Sequence, residues 1–177
     1  MAEKNYSGAG TDLTATRFNT RQFQLQRKNH FEVQFDSDFI DPDLRFMLVS
    51  FPLPKETTEQ TDINYFNQTI KVGGKTTFDT TTMVLRDAIQ YDTEKKFLNW
   101  RKRVYDPATG LMGLAADYKC NATVYEYTPN KEEYRKWTVV GCWPAGIDYG
   151  ELTYDDGGEK QLSVTICYDY AFRADLK

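Results

Sequence analysis

Histidine and cysteine are scarce in this chain. His30 stands alone, and Cys120, Cys142 and Cys167 are its three thiols. One histidine excludes a multi-histidine metal site, and His30 is read as an ordinary strand residue. Three cysteines cannot all pair within one chain, and their spacing fits no CxxC zinc pattern, so buried or half-buried free thiols are expected, with intersubunit disulfides in an oxidising medium as the alternative. No run of about 18 apolar residues is present to span a bilayer. The first residues, Met1 to Ser7, lack the apolar centre of a signal peptide, so the expectation is a soluble product of the cytoplasm with no membrane partner. Basic charge is also not in excess. A formal net charge of -4 argues against a surface that grips nucleic acid by neutralising phosphates.

Two short motifs invite chemistry and fail on inspection. Gly74-Lys75-Thr76 resembles the end of a phosphate-binding loop, but Thr69 occupies the place of that pattern's first glycine, and the segment lies between strand-like runs instead of opening a helix. Asp155-Asp156-Gly157-Gly158-Glu159 lacks the alternating ligands and distal glutamate of a calcium loop and reads as an acidic turn. No catalytic residue, metal ligand or cofactor site is assigned, and the chain is read as a non-enzyme.

What the sequence does hold is β pattern. With 177 residues, 40% hydrophobic and 15% aromatic, the chain is long enough for one self-supporting core. Residues 1–27 show no sustained period and read as an N-terminal arm, leaving 28–177 as the domain. Phe31, Val33 and Phe35 alternate with polar residues, the period of a half-buried strand. A second strand is expected over 45–51, stopped by Pro52 and Pro54. The polar segment 55–61 reads as a projecting loop. Residues 62–72 and 76–86 read as a hairpin turning at Gly73-Gly74. Further strands are expected near 117–127, 134–143, 149–154 and 160–171.

Between them the period changes. Over 92–106, Phe97, Trp100 and Val104 share a helical face while Lys95, Lys102 and Arg103 lie on the other, with Asp92 or Thr93 as the cap. Trp100 and Trp143 are the expected buried anchors, with Gly141 allowing close approach and Pro144 ending the strand beside Trp143. The fold class is therefore mainly β, a sandwich or barrel with one external helix.

Several blocks carry a family resemblance: Gly141-Cys142-Trp143-Pro144, Gly150-Glu151-Leu152-Thr153-Tyr154-Asp155, and Gln161 through Tyr170 with its terminal Tyr168-Asp169-Tyr170. Upstream lie Asn29-His30-Phe31-Glu32-Val33, Phe78-Asp79, Phe97-x-x-Trp100 and Tyr118-Lys119. In this order, over about residues 29–171, they resemble the tail tube proteins of contractile-tailed, myovirus-type bacteriophages. Departures are a longer arm, a different loop from Pro107 to Ala116, and the tail from Phe172 to Lys177.

The resemblance implies a subunit that forms homo-hexameric rings with a continuous inner β-barrel. Such rings stack into a tube inside a sheath. The implied partners are the tail sheath protein, the tape-measure protein, the baseplate or tube initiator, the tail terminator, and phage DNA passing through the lumen without sequence-specific binding. The implied place is the virion tail, after assembly in the bacterial host cytoplasm. Candidate lumen residues are Asn67, Thr69, Thr165 and Asp169. Candidate ring-to-ring contacts are Lys55, Glu56, Thr57, Thr58, Glu59, Gln60 and Thr61, with Phe18 and Phe23 of the arm. Lys95, Lys102 and Arg103 would face the sheath. Rival readings are the tube subunit of a bacteriocin-like contractile particle, a tube initiator, and a monomeric carbohydrate-binding β sandwich.

Overall fold

The computed structural model describes residues 25–37, 40 and 42–175. Phe18 and Phe23, and all of the arm before Leu25, lie outside the described residues. The chain runs β1 (Phe31–Asp36), a 3-10 turn (Pro42–Phe46), β2 (Leu48–Ser50), β3 (Glu56–Tyr65), β4 (Gln68–Phe78), β5 (Thr81–Arg86) and α1 (Thr93–Val104). It continues through β6 (Tyr105–Asp106), β7 (Leu111–Met112), α2 (Ala115–Tyr118), β8 (Cys120–Tyr127), β9 (Glu133–Asp148), β10 (Gln161–Cys167) and β11 (Tyr170–Arg173).

Strand β9, 16 residues long, organises the domain. Its first half pairs with β8 and β11, and β1 joins through β8. Its second half pairs with β10, followed by β5 and β2. Both sheets present alternate residues to one core. Val33, Ala122, Val124, Val139 and Ala171 come from the first sheet, and Met83, Leu85, Leu162, Val164 and Ile166 from the second. That alternation is the period-2 pattern of the sequence, one face buried and the next residue turned out.

The β9 path bends at Gly141, whose φ of +71° is open to glycine at little cost. A Cβ there would also lie 2.2 Å from an Asp169 carboxylate oxygen. Asp169 sits in the matching break between β10 and β11, donates its N–H to the Val140 carbonyl at 2.9 Å, and accepts from Lys119 Nζ at 2.7 Å. The two strands therefore change sheet together.

Helix α1 opens on Asp92, whose carboxylate accepts from Lys95 N at 3.3 Å. Its apolar face closes one side of the sandwich. Trp100 is 1% exposed, meets Phe35 edge-on at 5.5 Å between centroids, and donates from Nε1 to the Tyr118 carbonyl at 2.8 Å. This is the anchor expected of it.

Several strand boundaries differ from expectation. The hairpin does not turn at Gly73-Gly74. Its register runs from Glu56↔Phe78 to Tyr65↔Gln68, so the turn is Phe66-Asn67, with Phe66 at φ +52°. Gly74 instead lies in a bulge of β4, where Gly74 and Lys75 together face Glu59 between the Thr58↔Thr76 and Gln60↔Gly73 pairs, and a Cβ on Gly74 would press to 3.2 Å from the Glu59 carbonyl. Residues 56–61 are consequently strand, not loop. The expected 45–51 strand is a 3-10 turn followed by the short β2. Residues 149–154 form no strand, and the 160–171 strand divides at Tyr168-Asp169.

Pro144 does not end its strand. β9 passes through it because the register skips Ala145, pairing Gly146 with Thr165 and Pro144 with Ile166, and proline is tolerated beside such a bulge. Trp143, expected to be buried, is half-buried and packs edge-on against Tyr118 at 5.9 Å. Accordingly Trp143→Ala is expected to cost less than about 2 kcal/mol, below the 3–5 of a fully buried aromatic ring. Urea unfolding of the variant checks this, and a larger loss would place the ring in the core.

Candidate assembly surfaces

The β3–β4 ribbon leaves the domain almost without contact. Every residue from Glu56 to Thr77 is exposed. Only its root is fastened: Phe78 packs on Tyr168 at 6.0 Å, Lys55 N donates to Tyr168 Oη at 3.3 Å, and Lys55 pairs with Asp79 at 3.1 Å. The pairing sorts side chains onto two faces. Ile63 opposite Ile70, Thr61 opposite Val72, and Tyr65 opposite Gln68 make one face; Asp62 opposite Lys71, Asn64 opposite Thr69, and Gln60 opposite Gly73 make the other. An isolated two-stranded ribbon is marginal in water, and this one holds an apolar face that nothing among the described residues covers.

A second surface is the outward face of β5, β10 and the end of β9. Thr82, Val84, Ser163, Thr165 and Gly146 share it by register, with Thr82 Oγ1 and Thr165 Oγ1 3.4 Å apart. Arg86, the cation on β5, is held by Glu159 at 2.9 Å. The face is small, polar and close to neutral.

The four lumen candidates are not brought together. Thr165 lies on this face, Asn67 is at the hairpin tip, and Thr69 bonds Asn64 on the ribbon's polar face at 3.0 Å. Asp169, expected on a strand face, is at the break between strands and tied to Lys119. Glu56, Thr57, Thr58, Glu59, Gln60 and Thr61 all belong to β3, with Lys55 just before it. On α1, Lys95, Lys102 and Arg103 are exposed.

The subunit's two ends differ. Loop 149–160 leaves from the Arg86↔Gln161 end of β5 and β10, while the ribbon leaves from the Thr81↔Ile166 end. At the loop end, Lys160 bridges Glu94 and Asp87, and the hydrogen bonds it donates, first to Glu94 and then to Asp87, hold its ammonium above the ordinary lysine range. Leu152 in that loop is 84% exposed. The sequence reading expects a strand over 149–154, where the structure has loop. It also passed over Leu111, Met112 and Leu114, which are exposed around Gly113.

A groove of about 500 Å³ between Phe31, Val124, Phe51 and Leu53 holds one carboxylate, Glu126, already engaged by Trp137 Nε1 at 3.3 Å and Arg135 at 3.5 Å. Burial pushes the thiols of Cys120 and Cys142 up to about 12, which leaves them unreactive near neutral pH. Among the described residues no three His, Cys, Asp or Glu side chains could hold a metal, and no helix is long and apolar enough to cross a membrane.

Comparison with known proteins finds a tail tube relative and solved structures of the same fold. The tail tube protein gp19 of Enterobacteria phage T4 is 27% identical over 157 residues, covering 85% of this chain and 95% of that protein. The tube-terminating cap of the anti-feeding prophage shares the fold, with a TM-score of 0.68 at 10% identity over 85% of this chain and 91% of that one. A chain from the sheath–tube complex of an extracellular contractile injection system does so at 0.63 and 10% identity, over 90% and 97%. The sequence model of the T4-like virus tail tube protein gp19 matches residues 27–171, the whole sandwich with its ribbon, and to that family this chain belongs.

Proposed function

We propose that the protein is the structural subunit of a contractile phage tail tube, in which homo-hexameric rings stack into a hollow conduit for DNA. The observation that supports this reading beyond family membership is the β3–β4 ribbon, whose apolar face has no cover among the described residues. A neighbouring copy supplies the cover, so the ribbon and residues 55–61 join one ring to the next, together with the arm bearing Phe18 and Phe23.

In this reading the neutral face of Thr82, Ser163 and Thr165 lines the bore, with Asn67 and Thr69 extending it along the ribbon. Fixed lysines or arginines there would bind phosphates in every ring and slow the passage of DNA. The basic face of α1 lies outside, available to an acidic sheath surface. The tape-measure protein fills the bore before ejection, a baseplate initiator and a tail terminator close its ends, and the protein acts in the virion without catalysis after assembly in host cytoplasm.

Electron microscopy of the purified protein is expected to reveal rings and tubes of uniform bore. Thr165→Lys should leave the tubes intact while making them retain short duplex DNA at low salt. Monomers at every concentration would overturn the tube reading. Intact tubes of the variant that ignore DNA would overturn the assignment of the bore.

A further inference from the structure

Two of the three thiols face each other across a seam of the first sheet. Cys120 opens β8, Cys142 lies just past the Gly141 bend of β9, and the antiparallel register sets them directly opposite one another. Residues so opposed point to the same side of a sheet, and here that side is the core, where the two are 7% and 0% exposed. Opposed Cα atoms in such a ladder lie about 4.5–5.5 Å apart, inside the range of about 4.4–6.8 Å that a disulfide spans.

The pairing is fixed by its surroundings. At the adjoining bulge Gly141 N donates to Asn121 Oδ1 at 3.2 Å. Cys120 Sγ donates to the Cys142 carbonyl at 3.9 Å, and Cys142 Sγ to the Val139 carbonyl at 3.5 Å. Thiols are weak donors, so little is lost when these contacts are exchanged for a bond between the sulfurs. Burial first, and the Cys120 thiol second, push the Cys142 thiol up, which sets the two sulfurs in one another's field.

We propose that Cys120 and Cys142 are a redox site, a dithiol that closes to an intrachain disulfide with a small disulfide such as oxidised glutathione as the oxidant. The packed core withholds the reaction, because buried thiols supply almost no thiolate, and local opening of the β8–β9 seam permits it. In the opened seam the Cys120 thiolate attacks one sulfur of oxidised glutathione and expels a glutathione thiolate. The Cys142 thiolate then attacks the Cys120 sulfur of the mixed disulfide and expels the second. The two cysteine protons pass to the two glutathione thiolates, two electrons reduce the glutathione disulfide, and one S–S bond replaces another. The closed bond joins residues 22 apart and restricts every later opening of the seam. Burial of both sulfurs keeps them from another subunit, in contrast to the half-buried Cys167. In the tail tube reading the subunit folds in a reducing cytoplasm and meets oxidants after release, so each opening outside the cell is captured. The bond itself requires only the single subunit and is tested apart from that reading.

The test is refolding of the full chain from urea in a buffer of oxidised and reduced glutathione. The product is expected to run as a monomer on a non-reducing gel, to lose the mass of two hydrogens, and to yield on digestion one linked pair of peptides, those of Cys120 and Cys142. Its thermal midpoint should lie about 5 °C or more above that of the reduced chain and return to it with dithiothreitol. Cys167→Ala should form the bond as the unaltered chain does, while Cys120→Ala and Cys142→Ala should each prevent it. An unaltered chain in which both thiols remain open to alkylation after unfolding would overturn the site. So would a bond to Cys167 or to a second chain, or an oxidised chain that melts below the reduced one.

Discussion

Replacing residues 57–77 with a two-residue turn between Glu56 and Phe78 is expected to abolish tubes while leaving a folded subunit. The excised ribbon contributes nothing to the core, because each of its residues is exposed, and its root on Tyr168 stays in place. What is lost is the apolar face of Ile63, Tyr65, Ile70 and Val72. Covering each such side chain is worth about 1.5–3 kcal/mol. Even after the ordering of the ribbon is subtracted, assembly should weaken by about a thousandfold or more, since each 1.4 kcal/mol is a factor of ten. Thermal unfolding and microscopy on the same sample separate the outcomes. Tubes of normal length would remove the ribbon from the assembly, and an unfolded product would place it in the subunit's own stability.

Trp100→Ala is expected to act at the other extreme, destabilising the subunit by about 3–5 kcal/mol and lowering its yield before assembly begins. The ring is enclosed by Phe35 and Phe97, and its loss opens a void that links β1 to α1. It also strands the Tyr118 carbonyl, whose partner at 2.8 Å is the indole N–H. Urea unfolding measures the loss. A midpoint close to that of the unaltered protein would mean that the helix is held by other contacts and that the tryptophan fills space others can fill.

The strands whose alternation is one-sided were legible in the sequence. Phe31, Val33 and Phe35, or Leu162, Val164 and Ile166, turn inward in the fold as their spacing predicts. The helix was legible for the same reason, with Phe97, Trp100 and Val104 buried together. The ribbon was misread because its alternation is real but its apolar face meets no core among the described residues. Ile63 and Ile70 are cross-strand partners, yet nothing in spacing separates a face covered by the same chain from one left for a neighbour. Gly73 and Gly74 suggest a turn, whereas glycine within a bulge serves an equally local need. Pro144 misled in a related way, since a skipped residue in the partner register is invisible until both strands are known. Surfaces such as 111–116 carry a compositional trace, leucine and methionine in a glycine-bounded loop, but their meaning depends on exposure.

Strand β9 belongs to both sheets, and the bend at Gly141 lets one unbroken peptide pass between them. A load applied at the face of Thr165 and Gly146 thus reaches the opposite sheet through main-chain covalent bonds, without relying on side chains that slide past one another. Under the proposed tube reading, a wall built of such subunits would behave as a woven sheet instead of a laminate when a stiff polymer is driven past it. Its two layers cannot delaminate unless the shared strand is pulled out of one of them.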